Sequence, residues 1–94
     1  MSFKITASNL FYSQLKLFKK KRREVIKSKI LLIKQNPYRY KSLKKLKLFR
    51  VRFSENNKDI RLIYAVEKDT VFLIGFFDRK NNYQDVKKWV KEYL

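Results

Sequence analysis

Hydrophobic and polar positions divide this chain into stretches of different period. Phe3-Lys4-Ile5-Thr6 alternates every second residue and predicts a short opening strand, with Ser8 or Asn9 placed to cap a helix after it. From there to about Lys20, Phe11, Leu15 and Phe18 recur at i, i+4 and i+7, as along one face of a helix. A run of cations, Lys19-Lys20-Lys21-Arg22-Arg23, separates this stretch from a second helical one. There Ile26, Ile30 and Ile33 repeat the spacing, and Val25 and Leu32 widen the stripe. Asn36-Pro37 stops that helix, because proline pushes the residue before it out of the α region. Two helices with so short a connection predict an antiparallel helical hairpin.

Beyond a basic loop through Lys41, Lys44 and Lys45, the period falls to two. Phe49, Val51 and Phe53 point one way, and Leu48, Arg50 and Arg52 the other. Ser54 to Asp59 has the composition of a turn. In the next strand Ile60, Leu62, Tyr64 and Val66 share a face opposite Arg61, Ile63 and Ala65. A short turn at Glu67-Lys68-Asp69 leads to Val71–Phe77, which is apolar on both faces and predicts a covered central strand. Val86, Trp89, Val90 and Tyr93 then mark an amphipathic helix at the C-terminus. The expected order is β-α-α-β-β-β-α, an α+β fold in which helices cover one face of a curved antiparallel sheet. Residues 1–94 read as one domain, without internal repeats.

Composition supports a folded globule: 45% of residues are apolar and 16% aromatic, more than a disordered chain carries. With no cysteine, neither a disulfide framework nor a cysteine zinc site is available. With no histidine, the usual near-neutral general base is missing as well. No cofactor or metal is expected. There is no apolar run long enough to span a membrane and no signal-peptide pattern, so a cytoplasmic location is expected.

Charge changes the picture most. The net charge is +17, and seventeen of the 25 basic residues but only one of the 8 acidic ones, Glu24, fall within residues 1–54. Such clustered charge calls for a polyanionic partner, and nucleic acid is the natural one. The strand pattern narrows the location. If Phe53 faces Ile60 across the turn, Arg52 faces Arg61 on one surface and Arg50 lies two residues along it. Like charges opposed across strands cost a few tenths to about 1 kcal/mol. Arginine forks suit the bidentate grip of phosphate oxygens that would offset this cost. Arg79 can reach the same surface from the end of the last strand, and Tyr83 follows four residues later. Lys41, Lys44, Lys45 and Lys47 are candidate contacts to an RNA backbone.

Several of these segments together resemble the RelE/ParE toxin superfamily. They are Asn36-Pro37, Lys41-Ser42-Leu43-Lys44-Lys45-Leu46, Leu48-Phe49-Arg50-Val51-Arg52-Phe53, Ile60-Arg61-Leu62-Ile63-Tyr64 and Asp78-Arg79-Lys80-Asn81-Asn82-Tyr83. The resemblance implies a toxin of a type II toxin–antitoxin pair that cuts mRNA in the ribosomal A site without a metal. The 2′-hydroxyl would attack the adjacent phosphate, release a 5′-hydroxyl and leave a 2′,3′-cyclic phosphate. By the same resemblance, Arg50 and Arg52 bind the phosphate and Arg61 stabilises the charged transition state. Arg79 lies near the leaving oxygen, and Tyr83 stacks on or orients the nucleotide. The implied partners are mRNA with ribosomal RNA and an acidic antitoxin protein. Departures from the family pattern are arginine where lysine is common, at Arg50 and Arg52, and Asp78 with no histidine where other members place a base. Two alternatives stay open: a gyrase poison of the ParE kind on the same fold, and a basic RNA-binding domain without catalysis.

Overall fold

A computed structural model describes residues 3–43, 48–55 and 58–78. Its elements are β1 (Lys4–Ala7), α1 (Asn9–Leu15), α2 (Lys20–Gln35), a 3-10 turn (Pro37–Arg39), β2 (Lys41–Leu43), β3 (Leu48–Glu55), β4 (Lys58–Glu67) and β5 (Thr70–Asp78). The strands form one sheet in the order β1-β5-β4-β3-β2. The expected C-terminal helix at Val86, Trp89, Val90 and Tyr93 lies outside the described residues.

The α+β class and the alternation of the long strands are as the sequence predicts, and four details differ. The sheet is mixed, because β1 pairs parallel to β5 while all other neighbours are antiparallel. A strand of four residues shows no sign of its direction, which is set by the chain's route through α1 and α2. Lys41–Leu43, expected as loop, is a short strand on the edge of β3. Lys-Ser-Leu is too short to show a period, and only its pairing with Leu48–Arg50 defines it. The β3–β4 hairpin is tighter than expected, with pairing out to Glu55 opposite Lys58.

Finally, α1 ends at Leu15 rather than near Lys20. Leu17 N donates to Gln14 O and Phe18 N to Leu15 O, i→i−3 bonds that tighten the chain out of the helix. The turn carries the Phe18 ring to an edge-on contact with Phe76, 5.0 Å between centroids. α1 packs on β5.

Ser8 is the residue that caps α1: its Oγ accepts from Phe11 N at 3.0 Å and donates to Ile74 O, joining the helix start to the sheet. Beyond Ala7, where β1 stops, Gln14 takes over the flank of β5. Its Nε2 donates to Phe76 O at 2.8 Å, and Phe76 N donates to its Oε1 at 2.7 Å. β5 carries one extra residue where Ile63–Tyr64 pair across to Gly75 and Leu73. A side chain on Gly75 would meet Leu10 and the Gln14 amide at 2.9 Å, so glycine lets α1 approach there.

The main core lies between α2 and one face of the sheet. Ile26 and Ile33 of α2 pack with Phe11, Val51, Phe53, Leu62, Tyr64, Val71, Leu73 and Phe76. Leu48, Ile63, Ala65, Ile74 and Phe77 form a smaller apolar cluster, alternating with core residues and so on the other face. Among the described residues, no helix is long and apolar enough to cross a membrane.

Tyr64 is fully buried, and its hydroxyl donates to Pro37 O at 2.6 Å, tying the turn after α2 to the centre of β4. Burial, with a smaller contribution from Tyr40, pushes its ionisation well above the ordinary tyrosine value. Because the folded-state value is raised, this stabilisation is full below about pH 10, the unfolded value, and is lost as pH climbs above it. Tyr64→Phe is expected to cost about 1–3 kcal/mol at pH 7, since it leaves a buried carbonyl unsatisfied. It should also flatten the alkaline fall in stability. Denaturant melts of both proteins from pH 7 to 11 measure the two effects together.

Lys68 sits at φ 55°, in the left-handed region, within the β4–β5 turn. A side chain costs about 1–2 kcal/mol there and glycine avoids it. Lys68→Gly is therefore expected to raise the melting temperature by a few degrees in a calorimetric scan.

Candidate nucleic-acid interface

Alternation along β3 and β4 builds this surface. Because Val51, Phe53 and Leu62 face the α2 side, Arg50, Arg52 and Arg61 must face the other. Register supplies the rest. Arg52 lies directly opposite Arg61, as Phe53 opposite Ile60 requires. Arg50 is opposite Ile63 on one side and Lys41 on the other. Two cross-strand rows result: Lys41–Arg50–Ile63 and Arg52–Arg61–Phe77.

Apolar neighbours grade the exposure of these cations. Lys41 and Arg52 are exposed and Arg50 half-buried, whereas Arg61 is 6% exposed. The sequence pattern anticipates the shared face but not this gradient. Arg61 lies between Arg52 and Phe77, beside the cluster of Ile63, Ile74 and Phe77, so its guanidinium is withdrawn from bulk water. A cation in that position has a fixed direction and acts through a weaker dielectric than a surface lysine does. The surface can therefore present a rigid, partly desolvated positive charge next to more accessible ones. Chemically it suits an oxyanion with several oxygens, for which arginine forks are well matched.

Of the residues expected to contribute, the described residues bring together Lys41, Arg50, Arg52 and Arg61. Arg79, Tyr83, Lys44, Lys45 and Lys47 lie outside the described residues. Sequence reasoning placed Lys41 in a loop. Its position directly across from Arg50 follows only from the β2–β3 pairing, for which a three-residue strand leaves no periodic signal.

No protein-family model and no curated protein sequence matches the chain. Solved structures do match. The E. coli RelE toxin with two arginines replaced by alanine, in the free state, superposes with a TM-score of 0.78 at 19% identity, covering 100% of both chains. The intact E. coli RelBE toxin–antitoxin complex gives a TM-score of 0.71 at 17% identity, over 85% of this chain and 100% of the matched one. The archaeal RelE–RelB complex of Pyrococcus horikoshii gives 0.60 at 12% identity, over 86% and 99%. At these identities what is shared is the course of the backbone, and the likeness runs the length of the chain. The chain has the fold of the RelE toxins.

Proposed function

We propose that this protein is the toxin of a type II toxin–antitoxin pair and a metal-independent endoribonuclease that cuts mRNA on the ribosome. The observation that carries the reading is the opposition of Arg52 and Arg61, with Arg50 and Lys41 alongside, on one face of a RelE-type sheet. A fold gains nothing in stability from facing two guanidinium groups across adjacent strands. A phosphate held between them turns that repulsion into attraction.

The roles are those the family resemblance implies, and the exposure of the described cations is compatible with them. Arg50 and Arg52, the more accessible pair, hold the scissile phosphate, with Lys41 on a neighbouring one. Arg61, fixed and nearly buried, lies where negative charge grows as the 2′-oxygen bonds to phosphorus. As that bond forms, the bond from phosphorus to the 5′-oxygen breaks, giving a 2′,3′-cyclic phosphate and a 5′-hydroxyl. Arg79 assists the departing oxygen, and Tyr83 orients the nucleotide. Lys44, Lys45 and Lys47 extend the backbone contact. The arginines, protonated near neutrality, stabilise charge; the 2′-hydroxyl proton passes to water, and water returns one to the departing 5′-oxygen.

The partners in this reading are mRNA with ribosomal RNA and, in the resting state, an acidic antitoxin that neutralises the basic face. The matched RelBE and RelE–RelB structures are toxin–antitoxin complexes and support such a partner. A translating extract tests the function. Added protein should produce cuts within codons that persist in EDTA. Intact mRNA together with cleaved, gyrase-bound DNA would replace this reading with a gyrase poison. RNA binding with no cut in either nucleic acid would reduce it to a binding domain.

A further inference from the structure

Core packing does not account for the placement of Tyr38. The side chain is 58% exposed, yet it is held from several directions. Before it, Pro37 is buried and its carbonyl accepts the Tyr64 hydroxyl at 2.6 Å. Its own N–H donates to Asn36 Oδ1 at 3.2 Å. Its ring meets Phe3 edge-on at 6.0 Å and 77° and Phe49 at 5.6 Å and 72°, and Phe49 is stacked on Tyr64. A ring serving only as filler would be covered, and a ring left merely in water would have no such supports.

Its surroundings are cationic. Lys34, Arg39 and Lys41 are all exposed and lie within four residues along the chain. A rigid, solvent-open aromatic ring beside flexible cations is the arrangement by which proteins hold single-stranded nucleic acid, the ring taking a base and the cations its phosphates. The ring is also near the basic face. Tyr38 touches Phe49, the residue before Arg50, and Lys41 of edge strand β2 faces Arg50. A strand lying on the arginine face would reach Tyr38 by passing round the β2 edge.

We propose that Tyr38 stacks on an unpaired base of the RNA whose backbone Arg50 and Arg52 hold, with Arg39 and Lys41 on the intervening phosphates. The proposal rests on the RNA reading above and extends that site round the edge of the sheet. It identifies the ligand as single-stranded and adds a contact indifferent to base identity, since every base offers a flat face.

Fluorescence anisotropy with a labelled single-stranded RNA oligomer tests it. Tyr38→Leu keeps apolar contact with Phe3 and Phe49 but removes the stacking face. It should raise Kd about tenfold, or about 1.4 kcal/mol, and Tyr38→Trp should not. Oligomers with one abasic position, scanned along the strand, probe the same contact in the unaltered protein. One position should lose about tenfold with the parent and nothing further with Tyr38→Leu. The stacking assignment is overturned if Tyr38→Leu binds like the parent, or if every abasic loss persists in the variant. An Arg50→Gln/Arg52→Gln protein separates the two failures. If it loses affinity while Tyr38→Leu does not, only the stacking contact is wrong. If it too binds like the parent, the RNA reading fails as well.

Discussion

Arg61→Met is expected to slow mRNA cleavage in a translating extract by about 100- to 1000-fold, the usual cost of removing one fixed donor to a developing oxyanion. Methionine fills a similar space without charge, so the substitution also removes the opposition to Arg52 across β3 and β4. Removing one member of a buried ionic arrangement commonly costs about 3–5 kcal/mol, because it leaves the other uncompensated. Cleavage is therefore compared at a temperature where a melt shows both proteins folded. A folded variant that cuts as fast as the parent would remove Arg61 from the reaction.

The second large effect is on binding. Contact between a single strand and about six phosphates gives a slope of roughly −4 in log affinity against log salt. Raising monovalent salt from about 50 to about 200 mM should therefore weaken RNA binding about 250-fold. Titrations at four or five salt concentrations measure it. A flat profile would mean that the net charge of +17 serves no polyanion and would remove the basis of the RNA reading. Removing Lys41 should lower the slope by about 0.7, the share of one phosphate.

Much of the sheet was legible because its strands are long and one-sided. Phe49, Val51 and Phe53 against Arg50 and Arg52 fixed which way each strand faces. A single turn-length argument then set Arg52 opposite Arg61. What stayed hidden depends on contacts between distant segments. The parallel pairing of β1 with β5 joins residues 4–7 to residues 70–73, and nothing local in either stretch records it. The early end of α1 is decided by Phe18 packing on Phe76, which overrides a helical spacing that continues past it. The burial of Arg61 is of the same kind. Its own strand shows only an arginine among apolar residues, and its environment comes from Phe77 on the next strand and the apolar cluster around it. The desolvated environment of that residue is therefore a tertiary property.

The two Gln14 hydrogen bonds to Phe76 have a consequence for how the chain survives in a crowded cell. Val71–Phe77 is the stretch best suited to self-association: seven uncharged residues, rich in aromatic and β-branched side chains, with no proline. β1 covers only its first part, and past Ala7 an exposed flank would be a template for another molecule's strand. The Gln14 amide, offering one donor and one acceptor, answers both backbone groups of Phe76 as a neighbouring strand would. Seven residues of helix thus close an edge without adding a strand. Aggregation would then compete with folding mainly in the interval before α1 has docked.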